Sequence, residues 1–248
     1  FIALTNDQMD AVRVVKDEEE LRLMERAAEI TDLAMGATLR QMRIGMTERD
    51  VATEVLYQIS RHGGDGDSFY PGIICVGNGS DSDRHIFTRN TDMVLAPGTT
   101  VAFDYGVLYQ GYCSDFGRSV FMGEPHADAL SAYGTLARII RETAAVMGDG
   151  KITPAQIADH ARDIAAADGF GEYYMYHGLG HSIGLEVHES PWLRPGFEEP
   201  IGAGMCFTLE PKIWQPGIFY VRCEDVVVVG SENARALTKF SYEPNVID

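Results

Sequence analysis

Between Asp17 and Met42 the apolar residues Leu21, Met24, Ala28, Met35, Leu39 and Met42 return at helical spacing, the stripe one face of a 3.6-residue period leaves. Glu18, Glu19 and Glu20 stand at its start, where the positive end of a helix favours acids. Thr47, with Asp50 three residues on, matches a capping box and opens a second helix reaching to about His62. After the loop 63-GGDGD-67 the pattern changes. Short apolar runs at 73-IICVG-77, 99-TTVAFDYG-106 and 112-YCSDFGRSVFM-122 predict strands.

The same order then returns. A helix is predicted over Ala127 to Met147 and another over 153-TPAQIADHARDIAAA-167, with Thr153 as cap and Pro154 at the first helical position. Strands follow at 205-MCFTLEPKIW-214 and 219-FYVRCEDVVVV-229. Gly98 lies six residues before Asp104, and Gly204 six before Glu210. The repeat predicts one α+β domain over 1–248, built from two pseudo-symmetric helix–helix–hairpin halves at roughly 17–123 and 126–230.

Both hairpins place acids inside apolar strands, where Asp is depleted and an unpaired buried carboxylate is costly. A turn centred on Gln110-Gly111 sets Asp104 opposite residue 117, with Asp115 its diagonal neighbour on the same face. In the second hairpin a two-residue Pro216-Gly217 turn would put Glu210 and Glu224 on opposite faces. A three-residue loop, 216–218, would place them opposite each other, so the longer loop or a bulge is expected. The plainer alternative for any one acid is an edge position facing water, or an arginine such as Arg118 or Arg222. Two matched pairs favour a shared cation.

Composition narrows the function. No apolar stretch reaches the roughly 18 residues a membrane span needs. A formal charge of −17 without a Lys/Arg cluster argues against nucleic acid and anionic membrane. Cys75, Cys113, Cys206 and Cys223 show no CxxC spacing and read as buried free thiols, which suits a reducing cytoplasm.

The chain also carries 177-HGLGHSIGLEVHE-189. Its glycines argue against a helical His-x-x-x-His zinc site. One imidazole joining the four carboxylates gives an oxygen-rich donor set suited to Mn²⁺, Fe²⁺, Co²⁺ or Zn²⁺. Five such ligands are too many for one small ion but suit two ions about 3.5–4 Å apart.

Asp104 and Asp115, the histidine segment, 208-TLEP-211 and 222-RCED-225 occur in that order, with 16-KDEEELRLMERAAEI-30 and 45-GMTERDVA-52 before them. This set resembles the pita-bread metallopeptidases, and within them the Xaa-Pro dipeptidases (prolidases) and aminopeptidase P. The resemblance implies a pita-bread fold, its two halves around a curved antiparallel sheet. It makes Asp104 a ligand of one metal, Asp115 and Glu224 bridging ligands, and His181 and Glu210 ligands of the second. Glu210 would also act as general base. His85 would line the substrate pocket, His177 would lie just outside the ligands, and His188 would contact the scissile peptide.

The activity implied is hydrolysis of small peptides with proline after the first residue, by a hydroxide between two divalent ions, Mn²⁺ foremost. A cytoplasmic homodimer is expected. So is a further N-terminal domain missing from this chain, in keeping with a start at Phe1. Departures from the family pattern touch the substrate more than the metal. Lys212 follows Glu210-Pro211 where glycine is usual, Tyr220 replaces another glycine, and Gly117 replaces a threonine, removing a hydroxyl. Lys212 and Arg84 are either solvated charges or groups that reach a substrate carboxylate. Two other readings stand beside the peptidase: the same site acting on a non-peptide metabolite, and a binding module without catalysis.

Overall fold

The protein is represented by a computed structural model that describes residues 6–77, 90–175 and 178–248. In chain order its elements are α1 (Asn6–Arg13), α2 (Glu18–Gln41), α3 (Glu48–Arg61), β1 (Gly66–Asp67), β2 (Gly72–Gly77), β3 (Thr99–Tyr105), β4 (Val107–Tyr109), β5 (Tyr112–Cys113) and β6 (Phe116–Met122). There follow α4 (Ala127–Val146), α5 (Pro154–Ala167), β7 (Gly180–Ser182), β8 (Glu189–Leu193), β9 (Cys206–Leu209), β10 (Lys212–Gln215), β11 (Phe219–Arg222), β12 (Asp225–Val229), β13 (Ala234–Ala236) and β14 (Asn245–Ile247).

Local chemistry fixes the helix starts. The Asp17 carboxylate accepts from Glu20 N at 2.9 Å while Glu20 accepts from Asp17 N at 2.8 Å, closing a capping box before α2. Thr47 with Asp50 and Thr153 with Gln156 do the same for α3 and α5.

The strands form two larger ladders, β14-β6-β3-β2 and β13-β12-β9-β7-β8, and two small ones, β1-β4-β5 and β10-β11. The strand pairing is antiparallel apart from β14, which runs parallel to β6, and an antiparallel bridge between Gly117 and Glu224 joins the two larger ladders. The long apolar runs are shorter than expected, because each breaks where an acid stands. Residues 112–122 part at Ser114-Asp115, 205–214 at Glu210-Pro211, and 219–229 at Cys223-Glu224. Pro211 has no N–H for the ladder. Ser114 Oγ turns back to accept from Val107 N at 2.9 Å.

The registers match the sequence reading. Asp104 pairs with Gly117. Gln215 pairs with Phe219, leaving the three-residue loop 216–218. Leu209↔Asp225 and Lys212↔Arg222 share one register, so Glu210 and Glu224 lie opposite each other between them. Gly98 and Gly204, at matching distances before Asp104 and Glu210, both take positive φ, +82° and +83°.

Alternation along the strands decides what faces the helices. Val101, Phe103 and Tyr105 of β3 join Ile30, Met35, Val51 and Val55 of α2 and α3 in one core. Phe207, Leu209, Val221 and Val227 join Leu136, Ile140, Ile157 and Ala161 of α4 and α5 in another. Each fully buried Val, Leu, Ile, Phe or Met side chain among them contributes about 1.5–3 kcal/mol. The opposite face of β3, carrying Thr100, Ala102 and Asp104, turns to the β10–β11 hairpin, where Tyr220 N meets Thr100 Oγ1 at 3.3 Å. All four cysteines are buried, with no disulfide among the described residues.

Candidate metal centre

The breaks in the strands converge. Asp115, His181 and Glu224 each offer a ligand atom, and these atoms lie within 4.8 Å of one another. His181 Nε2 is 3.7 Å from Asp115 and 3.5 Å from Glu210 Oε1. Gly117 N reaches Glu224 O at 3.2 Å and Glu224 N reaches Gly117 O at 2.8 Å, so the residue opposite Asp104 is bonded to the one opposite Glu210. That junction brings the two hairpins' acids into one place.

His181 stands in β7, and Gly180 lets β7 lie close on β9: a Cβ there would fall 2.0 Å from Thr208 O. The imidazole Nδ1 faces the Ser182 carbonyl at 3.0 Å. A proton on Nδ1 leaves the Nε2 lone pair toward the carboxylates, the orientation a metal-binding histidine needs. Burial holds its pKa down to about 4, so the ring is neutral at physiological pH.

Burial pushes the Asp104 and Asp115 carboxyls up, and for Asp115 the neighbouring Glu224 adds to it. Glu224 is pushed up to about 8, by burial and then by Glu210 and Asp104, against Arg222. Glu210 goes the other way. Burial opposes its charge, but Lys212, then Arg222 and His181, hold it down to about 2. Acids crowded this closely call for cations. Asp115 Oδ1 and Glu224 Oε1 are buried without a hydrogen-bond partner among the described residues, although buried polar atoms are nearly always paired. Orphaned carboxylate oxygens beside a free imidazole lone pair fit a divalent metal.

Two basic residues complete the cluster. Arg222 pairs with Asp104 and with Glu224, and meets Glu210 Oε2 at 3.1 Å. Lys212, its cross-strand neighbour, pairs with the same Glu210 oxygen. Asp104 thus joins the other acids through Arg222, outside the three-residue group. Sequence reasoning named Arg222 only as an alternative partner for a single acid. Its signal was the alternation of β11, which puts residue 222 two positions from Glu224. Lys212 is not an exposed solvated charge; it is largely buried and turned inward.

His188 is exposed, its ring 4.4 Å from that of His181 and stacked on Trp192 at 5.5 Å. The segment is tied down by Glu189, buried against Lys16 Nζ at 3.1 Å. His85, Arg84 and His177 lie outside the described residues.

The model for metallopeptidase family M24 matches residues 22–231. Xaa-Pro dipeptidase from Lactobacillus delbrueckii subsp. lactis is 32% identical over 242 residues, covering 98% of this chain and 64% of that protein. Xaa-Pro dipeptidase from Pyrococcus horikoshii is 33% identical over 238 residues, 96% of this chain and 66% of its own length. The crystal structure of X-Pro aminopeptidase from Thermotoga maritima superposes with a TM-score of 0.91 at 30% identity, over 98% of this chain and 67% of that one. The chain spans about two thirds of the length of these relatives. It belongs to metallopeptidase family M24 and has the pita-bread α+β fold.

Proposed function

We propose that this chain is the catalytic domain of a two-metal peptidase that hydrolyses Xaa-Pro peptides. The observation that carries the reading is the pair of buried oxygens, Asp115 Oδ1 and Glu224 Oε1, that find no hydrogen-bond partner among the described residues and lie beside His181. Asp104, Asp115 and Glu224 would hold one divalent ion; Asp115, Glu224, His181 and Glu210 the other. Bound there, the ions supply Lewis acidity, which acidifies water and polarises a peptide carbonyl. Their oxygen-rich surroundings favour Mn²⁺, with Co²⁺, Fe²⁺ and Zn²⁺ as alternatives.

The chain's own residues supply the rest. Glu210, partly open to solvent, accepts the proton of the attacking water and returns it to the leaving nitrogen. His188, held by its stack on Trp192, donates to the carbonyl oxygen as negative charge develops there. Trp214 and Met175, partly buried, pack on the buried cluster of Ile74, Val76, Ala102 and Tyr220, and the proline ring would rest against them. Ala102 shares a face of β3 with Asp104, which sets that cluster beside the carboxylates. The same reading treats 17–123 and 126–230 as repeats within one domain. It places His85 in the substrate pocket and His177 just outside the ligands. Four buried cysteines with no disulfide among the described residues suit the cytoplasm, and homodimerisation rests on the family resemblance.

The test is a panel of Xaa-Pro dipeptides, Xaa-Pro-Xaa tripeptides and Met-Xaa-Xaa tripeptides, given to protein loaded with each ion, with Glu210→Gln as control. Metal-dependent and Glu210-dependent cleavage of Xaa-Pro bonds supports the reading. Stoichiometric metal without cleavage of any peptide overturns it in favour of a non-peptide substrate or a binding module.

A further inference from the structure

The β10–β11 hairpin shows one face to the metal centre. By strand alternation Lys212, Trp214, Tyr220 and Arg222 share that face, Lys212 opposite Arg222 and Trp214 opposite Tyr220. Two like charges directly opposite on a sheet repel, so this arrangement needs anions between them. Glu210 lies between them, touching both.

With two divalent ions bound, most of the charge on the four carboxylates would be met by metal, and Lys212 and Arg222 would no longer both be needed to balance it. The two differ in what they hold. Arg222 touches Asp104, Glu210 and Glu224, and its side chain is 5% exposed. Among the described residues Lys212 pairs with Glu210 alone, and its side chain is 16% exposed. The cluster opens on the side of Lys212, Glu210 and Asp104, which is 27% exposed, while Glu224 at 0% closes the floor. Among the described residues Lys212 is therefore the cation at the open rim, on a flexible stem, and its strand neighbour Trp214 packs on the buried apolar cluster of Tyr220, Ile74 and Ala102. A cation next to an apolar cluster fits an apolar residue bearing a free carboxylate.

We propose that Lys212 is a specificity-determining residue that binds the C-terminal carboxylate of the substrate, giving preference to free Xaa-Pro dipeptides over blocked or longer peptides. The assignment rests on the peptidase reading above, and deepens it. A lysine that merely balances Glu210 would affect all substrates alike. One that binds a carboxylate separates acids from amides.

The experiment compares the metal-loaded wild type with Lys212→Met and Lys212→Arg on Ala-Pro and on its C-terminal amide. Removing one charge-assisted contact is expected to lower the dipeptide-to-amide ratio of kcat/KM at least about tenfold in Lys212→Met, mainly through KM, with Lys212→Arg restoring part of it. Equal losses on both substrates, or no change in the ratio, overturn the proposal. Should Lys212→Met fail to fold, Lys212→Gln is read in its place. Calorimetry on the same proteins with L-proline and L-prolinamide separates this proposal from the peptidase reading. If no protein cleaves either peptide, a Lys212-dependent preference for proline over prolinamide sustains the carboxylate site while the peptidase reading falls. Equal binding of the two, or none, overturns the carboxylate site as well.

Discussion

Arg118 Nη1 donates to the backbone carbonyl of Glu224 at 2.8 Å, and does so from a fully buried position. The same nitrogen donates to Gly117 O at 2.8 Å, so one guanidinium clamps both ends of the junction that brings the two hairpins together. Its charge is balanced by Asp225, next to Glu224 in sequence, at 2.9 Å. Tyr242 OH and Thr238 Oγ1 donate to the same carboxylate.

Removing Asp225 leaves a buried arginine without its counter-charge. Asp225→Ala is expected to cost about 3–5 kcal/mol in urea unfolding of the metal-free protein. Arg118→Met added to Asp225→Ala should recover part of it. A loss below about 1 kcal/mol would mean the clamp is incidental.

Gly117 is where a threonine was taken to be missing. A Cβ at this position would come within 2.9 Å of Phe103 O and 3.0 Å of Arg222 Nε. The glycine makes room for Arg222, so restoring the hydroxyl does not help. Gly117→Thr should destabilise by about 1–3 kcal/mol and weaken metal binding. Unchanged or tighter metal binding would favour the lost-hydroxyl reading.

Gly180 is another position near the centre with no room for a side chain. Gly180→Ala drives a methyl into Thr208 O and displaces the strand that carries His181, whose N–H bonds Thr208 Oγ1 at 3.0 Å. Metal content should fall while the helical circular dichroism signal persists. Full metal content would show that β7 tolerates the shift.

Asp32 gives a pH signature away from the metal centre. Burial pushes its carboxyl up to about 6, against the pull of the Lys239 and Phe240 N–H groups it accepts from. The folded state therefore keeps a proton that the unfolded chain loses near pH ~3.9. Its contribution to stability is complete below that pH and is lost as pH rises through about 6. Wild type should thus lose stability relative to Asp32→Asn between those values, then run parallel to it. A relative gain with rising pH would contradict the assignment.

The elements defined by local signals were legible in the sequence. Helices α2, α3 and α5 follow from an apolar stripe and a capping side chain, and the registers around Asp104 and Glu210 follow from turn length and alternation. What was not legible depends on chain segments far apart. β7 and β8 lie in a glycine-rich segment whose only strand signal is its partner β9. α1 has a short, mixed face, and is held by Arg13 on Glu186, at 2.7 Å, and on Glu189. The strand breaks at Ser114-Asp115 and Cys223-Glu224 sit inside runs that look continuous, because the junction between Gly117 and Glu224 creates them. Arg222 and Lys212 turned inward for the same tertiary reason: the acids that draw them come from three other strands or strand breaks.

The central claim is a centre for two metal ions shared by both hairpins. The most direct test is titration of the metal-free protein with Mn²⁺ or Co²⁺, counting bound ions by calorimetry and elemental analysis. Two ions per chain in wild type, and one or fewer in Asp115→Asn with the fold intact, is the predicted result. A folded wild type that binds no ion, or that binds two regardless of Asp115, would contradict it.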